Sequence, residues 1–342
     1  MKNTRLSWHM LALACAVTLA ACGGGTDDTP ATAQATHGAE SPDSDDADAG
    51  SSAEATQDSA APNQTTQAGS AEAASPAADD DGSRAQPAAE RAGARRLIAD
   101  GRTDTYTLIN RVLGGNAAET PDCAHPRFGP HITQAHDAEL GKAAFVFTLH
   151  VDPDDDRCTK ADRQRNEIKV YGPSDDYLKG FKGDTVTYRW RFKLDKGFQP
   201  SSSFSHIHQI KAVDGDDGSP ILTLTPRAGR TDQLQLIHVD SDGDRNVLDQ
   251  KALSGFKGRW IDAYERMTYG SNGSYTLILR NLADGKVLWR YSAKLDLWRD
   301  GASFVRPKWG LYRSLSQRDA LRDESVRFDR FCIAKGQDDC SK

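Results

Sequence analysis

From about residue 100 to the C-terminus, apolar and polar residues alternate with a period of two. The runs are 142–151 (KAAFVFTLHV), 165–172 (RNEIKVYG), 184–195 (DTVTYRWRFKLD), 204–212 (FSHIHQIKA), 220–227 (PILTLTPR) and 233–240 (QLQLIHVD), followed by 259–270 (RWIDAYERMTYG), 274–282 (SYTLILRNL), 286–293 (KVLWRYSA), 306–314 (RPKWGLYRS) and 325–335 (SVRFDRFCIAK). This spacing predicts strands, because successive side chains of a strand point to opposite faces. Asp214-Gly215, Asp217-Gly218, Asp242-Gly243, Asn272-Gly273 and Asp284-Gly285 separate the runs with turn chemistry. Residues 274–293 read as a hairpin about Ala283-Asp284-Gly285, and 105–115 (TYTLINRVLGG) as one short helix. The pattern predicts an all-β protein, an antiparallel two-sheet β-jelly roll with few short helices, over 96–342.

The N-terminus departs from this pattern. Lys2 and Arg5 precede an apolar stretch at 10–21 that is too short to span a bilayer and ends Leu19-Ala20-Ala21-Cys22. Small residues before a cysteine resemble the lipobox of bacterial lipoproteins. Residues 1–21 are therefore expected to be a lipoprotein signal peptide and Cys22 the lipidated first residue. An ordinary secretory signal is the alternative, and either one exports the chain. Gly23 carries no inner-membrane retention aspartate, so the expected location is the outer membrane, at its periplasmic or cell-surface face. Residues 22–95 are rich in Ala, Asp, Ser, Thr, Gln, Pro and Gly and read as a disordered acidic tether, since they hold too little apolar surface to offset the entropy of ordering.

Charge changes the picture further. The whole chain is −6, but residues 23–90 contain 14 acidic residues against one base, Arg84, and Lys2 and Arg5 add +2 at the N-terminus, which leaves residues 91–342 at +5. A basic domain behind an acidic average suits an anionic partner. In an oxidising compartment the cysteines Cys123, Cys158, Cys332 and Cys340 are expected to pair as sequence neighbours, Cys123 with Cys158 and Cys332 with Cys340. No CxxC spacing points to redox or zinc chemistry.

Three strands carry candidate chemistry. In 163–172, Arg165, Glu167 and Lys169 share one face. In 204–212, His206 and His208 share a face, with Ile207, Gln209 and Lys211 opposite. In 306–314, Arg306, Lys308, Gly310, Tyr312 and Ser314 share a face, and Gly310 reads as a gap where something approaches the backbone. A zinc site on His206 and His208 has no evident third ligand, so no metal ligand is assigned. Asp152–Asp156 and Asp240–Asp244 read as acidic turns; structural calcium is the alternative, and no cofactor is required. His125 and His131 read as loop histidines that could edge a groove. His150 and His238 sit in strands without polar partners two residues away of comparable interest. Trp260 and Trp298 are core residues by default, with sugar stacking as the alternative.

In this order and parity the three strands resemble the jelly-roll polysaccharide lyases, including family 7 alginate lyases, the heparin lyase I group and glucuronan lyases, which are concanavalin A-like sandwiches. The alginate-lyase pattern is Arg-x-Glu-x-Arg, Gln-Ile-His and Tyr-x-Lys-x-Gly-x-Tyr. Here Lys169 replaces the final arginine, His206 the glutamine and Arg306 the first tyrosine. The resemblance implies a carbon–oxygen lyase that cleaves a uronic-acid polysaccharide by β-elimination and leaves an unsaturated uronate end. It gives His208 and Tyr312 the proton transfers and Arg165 the substrate carboxylate. His206, Lys169, Glu167, Lys308 and Arg306 would bind substrate. Gln209, which only a bulge would bring to that face, completes the set.

The partners expected are an anionic polysaccharide and, through Cys22, a membrane, with a monomeric chain and no nucleic acid, because the basic residues fit no nucleic-acid module. A non-catalytic carbohydrate-binding surface lipoprotein of the same fold is the rival reading. A glycoside hydrolase would need a second carboxylate beside Glu167.

Overall fold

A computed structural model describes residues 93–341. The predicted signal peptide, the tether through residue 92 and Cys22 lie outside the described residues.

Two antiparallel sheets face one another. The first runs β13 (Val287–Leu295), β12 (Gly273–Asn281), β11 (Ile261–Thr268), β6 (Thr185–Leu194), β15 (Glu324–Lys335), β4 (Lys142–Leu149) and β3 (Ile132–Asp137), with β1 (Arg95–Leu97) also paired to β15. The second runs β10 (Arg245–Ala252), β9 (Gln233–Val239), β8 (Leu222–Arg227), β7 (Ser205–Val213), β14 (Phe304–Ser314), β5 (Arg163–Lys169) and β2 (Ala118–Glu119). The all-β sandwich read from the alternation is the one observed.

Alternation explains the layering. On β6, Val186, Tyr188, Trp190, Phe192 and Leu194 are fully buried, whereas Arg189 and Arg191 on the reverse face pair with Asp262 and Asp329. From the second sheet Ile168, Ile210, Leu224, Leu236, Trp309 and Leu311 meet them in one core. Tyr188 and Trp309 pack edge to face across it, with centroids 6.1 Å apart. Full burial of one such large side chain contributes about 1.5–3 kcal/mol.

The helix α1 (Thr105–Leu113) begins where Asp104 accepts the Thr107 amide, and it buries Leu108, Ile109 and Leu113. The hairpin at 274–293 is present as β12–β13. Both disulfides expected from the sequence are present, Cys123–Cys158 and Cys332–Cys340, with Cα–Cα separations of 5.9 and 6.1 Å. The alternation did not reveal β10, an exposed edge strand (RNVLDQKA) with few apolar residues, or β3 (ITQAHD). Trp260 is fully buried and donates to Asp137, and Trp298 is also buried, as core packing predicts.

Candidate active site

The face of the second sheet turned away from the core gathers most of the expected residues. The β14–β5 register sets Lys308 opposite Lys169, Gly310 opposite Glu167 and Tyr312 opposite Arg165. Residues in register share a face, so these six positions form a continuous strip. Glu119 on β2 joins it opposite Glu167.

The gap expected at Gly310 is not open space. A Cβ there would sit 2.1 Å from Asn166 O and 2.6 Å from Glu167 Cα, and φ is 154°. The β5 backbone, rather than a sugar, takes up the room.

Gly310 also lies within a bulge that overturns the expected facing of the two histidines. β7 pairs Gln209 with Lys308 and His208 with Trp309, then His206 with Tyr312. β14 therefore carries one more residue than β7 between these pairs. A one-residue shift exchanges faces. Gln209 joins Lys308 on the outer face, His206 joins Tyr312 there, and His208 turns inward with Trp309.

His208 is consequently a core residue and not a groove base. Its ring stacks on Trp309 at 5.4 Å and lies 5.1 Å from Trp190. Nδ1 is 2.8 Å from the Lys308 carbonyl, and Nε2 is 2.8 Å from Glu265 Oε2. Glu265 also accepts from Tyr275 at 2.6 Å and from Trp190 at 3.2 Å. Burial pushes the Glu265 carboxyl up, but His208, Tyr275 and Trp190 outweigh it and hold the pKa below the usual value.

His206 occupies the outer face. Nδ1 is 2.6 Å from Thr225 Oγ1, and the ring stacks on Phe204 at 5.1 Å and lies 5.9 Å from the Tyr312 ring. Its pKa is well below the usual value. Burial is the first cause, followed by the positive charges of Arg227, Arg245, Arg165 and Lys308. The imidazole is held neutral.

Tyr312 stands between two guanidinia. Arg165 lies over its ring at 3.8 Å, and Arg163 Nη1 donates to its hydroxyl at 3.1 Å. Arg165, expected to meet a substrate carboxylate, is engaged by protein carboxylates. Nε and Nη2 donate to Asp156 at 2.9 and 3.2 Å, and Nη1 donates to Glu167 at 3.0 Å. Burial disfavours its charge, but Glu119, Tyr312, Glu167 and Asp156 more than compensate and raise its pKa well above the usual value.

The lysines are held similarly. Lys169 Nζ donates to Glu119 at 3.0 Å, and Lys308 Nζ lies 2.7 Å from Glu119 and 3.3 Å from Glu167. Gln209 donates to Glu167 at 2.5 Å. Beyond them Arg306 stands opposite Lys211 on the same face, so two cations are neighbours across the strands. Among the residues named on this face, the cations Arg163, Arg165, Lys169, Lys211, Arg306 and Lys308 outnumber the carboxylates Glu119, Asp156 and Glu167.

Three of these residues were not singled out in the sequence, and a fourth was read in another role. Glu119 lies on a two-residue strand that shows no periodicity. Asp156 read as part of an acidic turn, and Thr225 as an ordinary strand residue. Arg163 was within reach, because it extends the Arg165, Glu167, Lys169 alternation by one step. The acidic segment itself diverges: Asp152 pairs with Arg318, Asp154 with histidines and Asp156 with Arg165. Asp240 accepts the Asp242 and Asp244 amides, which makes an acidic turn. His238 Nε2 lies 2.7 Å from the Asp296 carbonyl.

The sequence matches no protein-family model and no curated protein. Among solved structures, the chain is similar to endo-β-1,4-glucuronan lyase from Trichoderma reesei at 16% identity and TM-score 0.44, over 62% of this chain and 90% of that one. It is similar to an alginate lyase from Klebsiella pneumoniae at 14% identity and TM-score 0.42, over 60% and 84% of the two chains. A mutant of alginate lyase Aly36B in complex with an alginate trisaccharide aligns at 11% identity and TM-score 0.49, over 71% and 99%.

Proposed function

We propose that the protein is a polysaccharide lyase that cleaves a uronic-acid polymer by β-elimination, with His206 and Tyr312 as the proton-transfer pair. The observation that carries this reading is the placement of a neutral imidazole 5.9 Å from the ring of a tyrosine whose hydroxyl accepts from Arg163, on a face rich in cations.

The reaction requires removal of the C5 proton, alpha to the uronate carboxylate. The C5–H bond breaks, a C4–C5 double bond forms, the C4–O bond to the leaving sugar breaks, and that oxygen takes a proton. In the tautomer that donates from Nδ1 to Thr225, His206 Nε2 keeps a lone pair and accepts the C5 proton. A base surrounded by cations is weak, but an incoming carboxylate offsets the neighbouring positive charge and strengthens it. Arg306 and Lys211 supply the positive field for that carboxylate and for the enolate-like charge that develops on it. Tyr312 gives its proton to the leaving oxygen. Arg163 meets the negative charge left on the phenolic oxygen, and Arg165, fixed by Asp156 and Glu167, holds the ring in place. Export and lipid anchoring through Cys22 would bring this domain to polymers outside the cytoplasm.

The test is the ultraviolet absorbance of the conjugated unsaturated uronate, followed while the chain is incubated with alginate, glucuronan and glycosaminoglycans. A rise with one polymer that is lost in Tyr312→Phe supports the proposal and names the substrate class. Binding without any rise supports the carbohydrate-binding alternative.

A further inference from the structure

Behind the proposed active site a second group of side chains converges, and the groove chemistry does not use it. His125, His131, His150 and Asp154 each offer one ligand atom, and all four atoms lie within 4.8 Å of one another. His131 Nε2 is 3.0 Å from Asp154 Oδ1, His125 Nδ1 is 3.3 Å from the same oxygen, and His150 Nδ1 is 3.0 Å from Oδ2. The side chains of His131 and Asp154 are fully buried.

From this arrangement we infer a structural zinc site. Four nitrogen and oxygen ligands at bond lengths of about 2.0–2.1 Å around a tetrahedral zinc ion stand roughly 3.3 Å from one another. The separations of His131 and His125 from Asp154 Oδ1 are close to that edge, and His150 approaches the other oxygen of the same carboxylate. Calcium would require six to eight oxygen ligands, whereas this set offers three imidazoles and one carboxylate. His125 Nδ1 is buried and makes no hydrogen bond, so a polar atom points into the cluster without a satisfying partner.

The surroundings fit a bound ion. Asp122 Oδ1 lies 2.7 Å from His131 Nδ1 and also accepts the His131 amide, which leaves Nε2 as the ligating nitrogen. Tyr106 in turn donates to Asp122 at 2.7 Å. A carboxylate behind a ligand histidine is the usual means of orienting it at a metal. Phe128 closes one side, with its ring 3.9 Å from that of His150 and 4.9 Å from that of His131. With four protein ligands and an aromatic cover, the site has the closed form of a structural centre rather than the open position of a catalytic one.

The ion would have a definite effect. The Cys123–Cys158 disulfide ties the loop of His125 to the loop of Asp154. Two residues beyond Asp154, Asp156 grips Arg165 through both carboxylate oxygens. Zinc would therefore fix the loop that holds Arg165 over the Tyr312 ring.

The test uses the full chain, freed of metal with a chelator, resupplied with zinc and analysed for bound metal. Cobalt(II) serves as a spectroscopic probe of tetrahedral ligation. One zinc per chain is expected, together with the visible bands of tetrahedral cobalt. His125→Ala/His150→Ala should lose both, and His136→Ala, which alters an exposed histidine outside the cluster, should keep both. Asp122→Asn keeps all four ligands and should weaken zinc about 10–100-fold; it also serves if the double variant fails to fold. A folded wild-type chain that takes up no zinc would overturn the inference. So would equal zinc affinity in wild type, Asp122→Asn and the folded double variant.

Discussion

His206 and His208 stand two residues apart on β7, yet they occupy different chemical settings. His206 meets a threonine hydroxyl and two aromatic rings, and burial, reinforced by nearby cations, keeps it neutral. His208 lies between the sheets, within 2.8 Å of a carboxylate and 2.8 Å of a carbonyl, and both of these only accept. One stands on the outer face beside Tyr312, where the proposed chemistry would use it, and the other joins the two layers through Glu265. The difference arises in the neighbouring strand, where a glycine-containing bulge alters the register. The environment of a side chain, and not its sequence spacing alone, determines what a histidine does.

The contrast breaks most sharply with the outer-face pair. Tyr312→Phe retains the ring under Arg165 and removes only the hydroxyl, so kcat for elimination should fall about 10²–10⁴-fold. Stability should change by no more than about 0.5–1.5 kcal/mol, the value of one hydrogen bond, as read from the denaturant midpoint.

His208→Ala should behave in the opposite way. It leaves the buried Glu265 carboxylate without its His208 partner, and an uncompensated buried charge costs about 3–5 kcal/mol. The urea midpoint should drop sharply. A midpoint equal to wild type would remove His208 from the core account.

Gly310→Ala tests the bulge itself. The new methyl meets the β5 backbone, and stability should fall by more than about 1 kcal/mol, with activity falling too because Tyr312 is two residues away. Unchanged stability and activity would show that the register does not depend on glycine there.

The smallest effect expected is in acid. The folded pKa of His206 lies below its unfolded value of about 6.5. As pH falls through about 6.5 the unfolded chain takes up the proton first, so the His206 contribution to stability is complete above that pH and declines below it. Urea midpoints measured at successive pH values should show a shallower acid decline in His206→Gln than in wild type. Parallel curves would mean that His206 is not held neutral.

Much of the fold was legible because period-two alternation survives wherever one face is buried, as on β6 and β14. The edge strand β10 escaped notice because its exposed residues need not alternate. The strip Arg165, Glu167, Lys169, Lys308 and Tyr312 could be read from parity alone. The inward turn of His208 could not, because the bulge that causes it lies on another strand and depends on contact between Gly310 and Asn166. Nor could the role of Glu119 or the meeting of His125, His131, His150 and Asp154, since their positions follow from a two-residue strand, a strand pairing and a disulfide between distant segments.

The most direct test of the account is kcat for polymer cleavage in His206→Gln and His208→Gln, each corrected for the folded fraction. The account predicts that His206→Gln loses about 10²–10⁴-fold while its stability stays near wild type, and that His208→Gln loses stability while its folded molecules still turn over. Full activity in His206→Gln, or a stable His208→Gln that cannot cleave, would contradict it.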